Sequence, residues 1–251
     1  AMESGQRFAI REGGKTIGKQ ENTAYDSRGS QFRLSRKINE DSRFILGFQN
    51  VFMDDVPRTH KTINGLTWKG LIPGSEIWRQ LDQKRNLYYG KFSWENAGGW
   101  IDAGLLTLSL HKHEQERYRM KGSTSGVPIG GDIQYFGLED LGLSLRFETD
   151  DPWGGRLAYG GTWHHESLNS GGYKFNSSEI KSTDLAQGPL AADAHYDRYA
   201  FYLSDTYDVG HWNIEPGIRF SSIQADLERY YLNNSDPLTI QKPEIKNYNE
   251  L

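Results

Sequence analysis

Hydrophobic and polar residues alternate along most of this chain. In Gln31–Ile38, "QFRLSRKI", Phe32, Leu34 and Ile38 fall on one side of an extended backbone, and Gln31, Arg33, Ser35 and Lys37 on the other. The same period of two recurs further on. Phe44, Leu46, Phe48 and Phe52 share a side, as do Tyr88, Phe92 and Trp94, and then Leu106, Leu108 and Leu110. Leu141, Leu143, Leu145 and Phe147 oppose Gly142, Ser144, Arg146 and Glu148. Leu157, Tyr159 and Trp163 follow, then Tyr199, Phe201 and Leu203, then Trp212, Ile214, Ile218 and Phe220. Successive side chains of a strand point to opposite faces, so each stretch predicts a strand with one apolar and one polar side. Eight strands result, of roughly ten residues each if they cross a bilayer. Helical spacing is confined to Gly74–Asn86, where a turn or two of helix within a loop is expected.

The connections alternate in length. "NEDS", "ENAGG", "DDPWGG" and "DVGH" are short turns, whereas Asp54–Lys84, Lys112–Asp140, Glu166–Tyr196 and the stretch from Asp226 onward are long and polar. An antiparallel meander with this rhythm gathers its short turns at one end and its long loops at the other. That asymmetry is characteristic of transmembrane β-barrels. Trp94, Trp100, Trp153, Tyr207 and Trp212 lie in or beside the short turns, where aromatic rings would mark a membrane interface. The predicted fold class is therefore all-β, an antiparallel meander forming part of a transmembrane β-barrel. Arg33, Arg146, Glu148, Arg156, Glu215 and Arg219 would then face the lumen, because a basic side chain facing lipid costs about 2–4 kcal/mol at the bilayer midplane. Periodicity alone also fits a soluble β-sandwich that binds or hydrolyses carbohydrate, with the polar faces in bulk water.

Composition narrows the chemistry. Aromatic residues make up 13% of the 251 residues, with 14 Tyr and 7 Trp but only 3 Met, a balance that suits strands. Cysteine is absent, which removes disulfides and thiolate metal sites. The net charge of −4 is well mixed and no basic block points to nucleic acid. No apolar run is long enough for a transmembrane helix. Neither a G-x-S-x-G, an H-E-x-x-H nor a P-loop is present, so an enzyme is not expected. Carboxylates are plentiful enough to leave a glycosidase pair open.

Three polar stretches are candidates for binding. His164 and His165 of "HHE" point to opposite faces of a strand and cannot share a metal without a bend; Glu166 completes a strand passing into a loop. His111 and His113 share the polar face, and such a pair can chelate a metal or approach haem iron. The loop "DDVPRTHKTINGLTWKG" brings together Arg58, His60 and Trp68.

Four segments carry a family resemblance: "FQNVFMDDVPRTH", "GSEIWRQLDQKRNLYYGKFSW", "GGRLAYGGTWHHES" and "RYAFYLSDTYDVGHWNIEPGIRFSSI". In this order they resemble successive barrel hairpins of TonB-dependent outer-membrane receptors, over roughly residues 28 to 251. The resemblance implies a 22-stranded barrel in the bacterial outer membrane, of which residues 1–251 would supply about the middle two-fifths. A plug domain and the short segment that contacts TonB would then lie outside this sequence. "AMESGQRF" reads as a vector-derived scar, and both ends read as cuts within a longer protein. The implied function is uptake of a scarce ligand, a ferric chelate or haem, with no catalysis and no resident cofactor. Implied partners are outer-membrane lipid and TonB, the latter through the plug. An adhesin-like barrel without transport is the remaining alternative. Arg146 and Arg219 are the expected lumen cations at the barrel mouth, with His60 and Trp68 as ligand contacts from a loop. The glycosylation-like sequons at Asn176 and Asn233 carry no meaning in such a setting.

Overall fold

The computed structural model describes residues 9–12, 15–19, 24–58, 62–63, 74–123, 125–229 and 244–250. A short hairpin of β1 (Ala9–Glu12) and β2 (Lys15–Lys19) forms its own two-stranded sheet. Everything else belongs to one antiparallel sheet. Its strands are β3 (Asp26–Lys37), β4 (Ser42–Pro57), β5 (Glu76–Trp94), β6 (Ala103–Gly122), β7 (Pro128–Asp150) and β8 (Arg156–Phe175). They continue with β9 (Lys181–Leu185), β10 (Asp193–Val209), β11 (Trp212–Ile214), β12 (Gly217–Arg229) and β13 (Glu244–Glu250). The spatial order β13-β12-β10-β8-β7-β6-β5-β4-β3 is a meander, with β9 extending β8 and β11 folding back on β10. The turns β3–β4, β5–β6, β7–β8 and β10–β12 lie at one end and the connections β4–β5, β6–β7, β8–β10 and β12–β13 at the other, of which β6–β7 is short.

Register keeps the two faces separate across the whole sheet. Directly paired residues share a face. One rung runs Leu34, Leu46, Gly90, Leu108, Leu143, Trp163 and Tyr199. The next apolar rung towards the short turns runs Phe44, Phe92, Leu106, Leu145, Gly161, Phe201 and Phe220. The rung between these two carries Ser35, Lys91, Thr107, Ser144 and Thr162 on the opposite face.

Among the described residues no second layer packs on the apolar face. Among the described residues the buried apolar side chains are Met120, Phe175 and three alanines, whereas Phe201 is 62% exposed and Ile218 61%. A sandwich would cover this face with a second sheet; the described strands of the main sheet form a single layer, which removes the soluble-sandwich alternative. A bare apolar face of this extent requires a non-aqueous surrounding. Lipid supplies it.

The structure differs from the sequence expectations in three places. Gly74–Asn86 is not helical: its residues from Glu76 onward belong to β5. The stretch 112–140 is no long loop. β6 and β7 continue through it and close at 123–127, where Gly126 takes φ +79° and the Ser123 N–H donates to Val127 O at 2.8 Å. Cross-strand ion pairs carry this extension in place of apolar pairs: Lys112–Glu139 at 2.6 Å, Lys84–Glu114 at 3.4 Å and Arg117–Asp132 at 2.9 Å. Finally, the expected loops Glu166–Tyr196 and Asp226 onward also contain strand: β8 runs to Phe175, β9 pairs with its end, β10 begins at Asp193, β12 runs to Arg229 and β13 follows. Trp212, Ile214, Ile218 and Phe220 share one face as expected, because they pair with Val209, Tyr207, Leu203 and Phe201 in one register, although Pro216 breaks the ladder between β11 and β12.

Aromatic rings line the short-turn end of the apolar face. Trp94, Phe147 and Tyr159 form a connected row, with ring centroids 6.0 and 5.4 Å apart. Their polar handles reach the adjoining turn: Trp94 Nε1 donates to Ile101 O at 3.2 Å and the Tyr159 hydroxyl donates to Trp100 O. The indole of Trp94 lies over Gly104, where a Cβ would come within 2.3 Å of the ring, so the glycine makes room for it. Buried body and satisfied tip is what an interfacial aromatic needs.

The turn at 151–155 is locked from within. Asp151 accepts from the N–H groups of Trp153 (2.9 Å) and Gly155 (2.5 Å), and the Tyr207 hydroxyl lies 2.8 Å from it and 2.7 Å from Asp205. Desolvation, the largest single influence, pushes the Asp151 carboxyl up, but its hydrogen bonds with Gly155, Tyr207, Asp205 and Trp153 together outweigh it and hold the group below the usual carboxylate range.

Two expectations follow. Arginine at Leu108 would face lipid and lose about 2–4 kcal/mol of barrel stability, whereas arginine at Thr107, on the opposite face, would be tolerated; heat-dependent gel mobility of the assembled protein separates them. Because Asp151 is depressed in the folded state, its contribution is present above the ordinary carboxylate value near 4 and is lost as pH falls through the lower folded value. Protection of the Trp153 and Gly155 amides, measured relative to their intrinsic exchange rates, should therefore fall in acid, and Asp151→Asn should remove that pH dependence of the protection.

Candidate functional site

The polar face is the candidate site, and its chemistry changes with height. Nearest the short turns, Arg146, Gly160, Tyr202 and Arg219 form one rung. Arg146 pairs with Glu148 at 2.8 Å, and Arg219 Nε donates to Ser221 Oγ at 3.3 Å. The two arginines share a face but are three strands apart, roughly 14 Å at ordinary strand spacing. They sit close to the short turns, away from the long-connection end where the sequence reading expected a mouth. His60 and Trp68 lie outside the described residues.

Midway up, histidines meet carboxylates. His164 Nδ1 lies 3.0 Å from Asp140, beside the Arg198–Glu166 pair at 2.8 Å. Gly142 separates Ser109 and His164 on this face; a Cβ there would stand 2.6 Å from Ser109 Oγ and 2.8 Å from the imidazole, so only glycine admits this placement. His165 points to the opposite face, where it meets Asp197 at 2.9 Å just above the apolar band. The two histidines thus serve different surroundings, as strand alternation requires. His111 and His113 do share the polar face, with rings 6.5 Å apart, and Arg85 Nε donates to His111 Nε2 at 2.7 Å. No group of three or more metal-ligating side chains is assembled among the described residues.

At the long-connection end lies a cluster that the sequence reading missed. Arg79, Arg119, Asp132 and Lys174 form one rung across four strands, with Arg117 on the adjoining one. Asp132, 5% exposed at its side chain, accepts from Arg117 at 2.9 Å and from both Nε (2.8 Å) and an Nη of Arg119. Glu76 approaches Arg79 at 3.3 Å and Arg119 at 3.4 Å. Arg79 is only 7% exposed. Burial pulls its guanidinium below the ordinary value; Glu76 opposes this, while Arg117, Arg58 and Arg119 add to it. An open groove of about 460 Å³ adjoins the cluster, lined by Arg119, Lys121, Asp132, Gln134, Lys174 and Ser182 among others. The sequence signal was "ERYRMK", in which Arg117 and Arg119 share a strand face, with Asp132 returning opposite them.

A single-layer sheet with a bare apolar face, an aromatic belt at the short-turn end and a charged opposite face is the wall of a transmembrane β-barrel. Residues 16–249 match the family model described as TonB dependent receptor-like, beta-barrel, and the chain belongs to that family. Its members are transporters of the bacterial outer membrane rather than enzymes. Two solved structures show the same fold. The ferric citrate transporter FecA in its unliganded form matches with a TM-score of 0.64 at 17% identity, over 92% of this chain and 33% of FecA. The siderophore receptor PiuA from Acinetobacter baumannii matches with a TM-score of 0.58 at 12% identity, over 90% of this chain and 38% of PiuA. The chain thus spans little more than a third of the length of these proteins. No curated protein matches it in sequence.

Proposed function

We propose that the chain forms a section of the barrel wall of a receptor that imports a ferric chelate across the outer membrane. The observation that carries this reading is the row of cations on the face opposite lipid, continuing from the long-connection end to the short turns: Arg79, Arg117 and Arg119, then Arg85 and Arg198, then Arg146 and Arg219. An iron complex wrapped in carboxylate or catecholate oxygens is anionic, and guanidinium groups meet such oxygens in a planar fork. The fold shared with a ferric citrate transporter and a siderophore receptor supports the same class of ligand. Release inward would depend on TonB, acting through a plug domain within the lumen.

Haem is the second reading, and the histidine pair bears on it. In His111 the Nε2 lone pair is already used by the Arg85 donor, so that nitrogen is not free for iron. This favours a chelate that brings its own iron ligands.

Arg146 and Arg219, placed near the short turns, would meet the ligand late in its passage. Replacing both with Gln in the receptor should slow uptake of radiolabelled ferric chelate several-fold while equilibrium capture at the cell surface is largely retained. If neither uptake nor capture changes, the ligand is handled elsewhere, and the loop carrying His60 and Trp68 becomes the segment to replace.

A further inference from the structure

The arginine cluster at the long-connection end is out of charge balance. Three guanidinium groups, Arg79, Arg117 and Arg119, face two carboxylates, Glu76 and Asp132, with Arg58 adding a further positive field. Four of these side chains are buried or nearly so: Arg79 at 7%, Glu76 at 9%, Asp132 at 5% and Arg117 at 14% exposure. An uncompensated charge in such a place is costly, and folded proteins pair it. Two donors are also left over. Arg79 Nε and Arg117 Nε are shielded from solvent and have no hydrogen-bond partner among the described residues. Buried donors without acceptors are rare in native structures.

The two acids are not equivalent. Asp132 is held at ordinary ion-pair distances by two arginines. Glu76 reaches Arg79 and Arg119 only at 3.3–3.4 Å, too long for strong charge-assisted bonds. It also stands where β5 begins, beyond the register shift that separates it from Trp78. Asp132 therefore reads as a fixed partner of Arg117 and Arg119, and Glu76 as a loosely held one.

We infer that this cluster is a binding site for an oxyanion, a carboxylate or phosphate group, and that Glu76 occupies it as an internal substitute until the ligand arrives. The incoming group enters along the groove past Arg119 and Lys174. It takes the Arg79 and Arg119 donors from Glu76, and a ligand carrying two negative charges there, a phosphate or a polycarboxylate, balances the three guanidinium groups together with Asp132. The site deepens the uptake reading by naming where an anionic ligand is first held, but its argument rests on charge and burial alone.

Glu76 also anchors the preceding connection. The Ile63 N–H donates to its carbonyl at 2.8 Å, Thr62 bridges to it, and the Arg58 N–H donates to Arg79 O at 2.8 Å. Displacing the Glu76 side chain therefore acts on the point where Arg58, Thr62 and Ile63 are tied to β5.

The test is calorimetric titration of the whole receptor with two probes, citrate and inorganic phosphate. Binding of one or both is expected, and the preferred probe identifies the chemistry. Arg79→Met should weaken it by more than about tenfold, the scale of one lost charge-assisted bond. Glu76→Gln should strengthen it, because the internal competitor loses its charge. Arg117→Gln, a change at a less buried position, should weaken it and serves if Arg79→Met fails to assemble. Absence of binding by both probes, or affinity unchanged in the arginine variants, overturns the site. Uptake of iron as an anionic citrate or catecholate complex, measured in parallel, keeps the two readings apart. A receptor that binds citrate through Arg79 but imports no iron refutes the uptake reading alone, and one that imports iron while its anion binding ignores Arg79 refutes the site alone.

Discussion

Every other feature of this structure depends on one constraint: within hydrocarbon, each backbone N–H and C=O must find its partner inside the protein, because water is not there to supply one and each unmet group costs several kcal/mol. A continuous antiparallel ladder meets that demand. From β3 to β12 each strand is paired to its neighbour without interruption through the apolar zone, and the register shifts fall outside it, at Met53–Val56, Glu76–Trp78, Lys121–Gly122 and Asp193–Ala194. The register shifts are confined to the long-connection end, and the break at Pro216 lies beside a short turn, so irregularity stays near the ends where water can reach the backbone. Once the ladder is fixed, the alternation of side chains divides the sheet into a lipid face and a polar face without further instruction.

That division explains why so much of the fold was legible in the sequence and where legibility stopped. Between the aromatic belt and the rung of Phe48, Tyr88, Leu110 and Leu141, one face must be apolar, so the period of two is written plainly in "AGLLTLSL" and "LGLSLRF". Above that rung neither face meets lipid. Lys112, Glu114 and Glu116 then occupy outward positions that Leu106, Leu108 and Leu110 hold below, and the strand continues on cross-strand ion pairs. A pattern of charges alternating with other polar residues carries no contrast, so β6 and β7 read as loop from Lys112 to Asp140 although the ladder runs on through them. The same loss of contrast disguised the start of β5, where Gly74–Asn86 suggested a helical spacing that the sheet overrides.

The arginine cluster was hidden for a different reason. Arg79, Arg119 and Asp132 are scattered along the chain and meet only because the β5–β6 and β6–β7 pairings place them on one rung. Register at that height follows from the length of the polar extension and the tight closure at 123–127, neither of which hydrophobic periodicity reveals. Arg146 and Arg219 were placed on the correct face because they alternate with Leu145, Phe147, Ile218 and Phe220. Their height was not legible: the sequence gives the face from its neighbours, but distance from either end emerges only once every strand length is known.

The vertical arrangement of charge on the polar face has a physical consequence of its own. Near the short turns the arginines are well exposed: Arg146 and Arg156 each contact Glu148 while remaining open to solvent, and water screens such pairs to a fraction of a kcal/mol. At the long-connection end the guanidinium groups are buried against one another, where screening is weak and an added anion changes the local energy far more. The anionic ligand proposed above would meet its strongest field first on descending this face, and progressively weaker, more hydrated cations afterwards. That order is the one the proposed uptake requires: capture at the outer end and release towards the inner one.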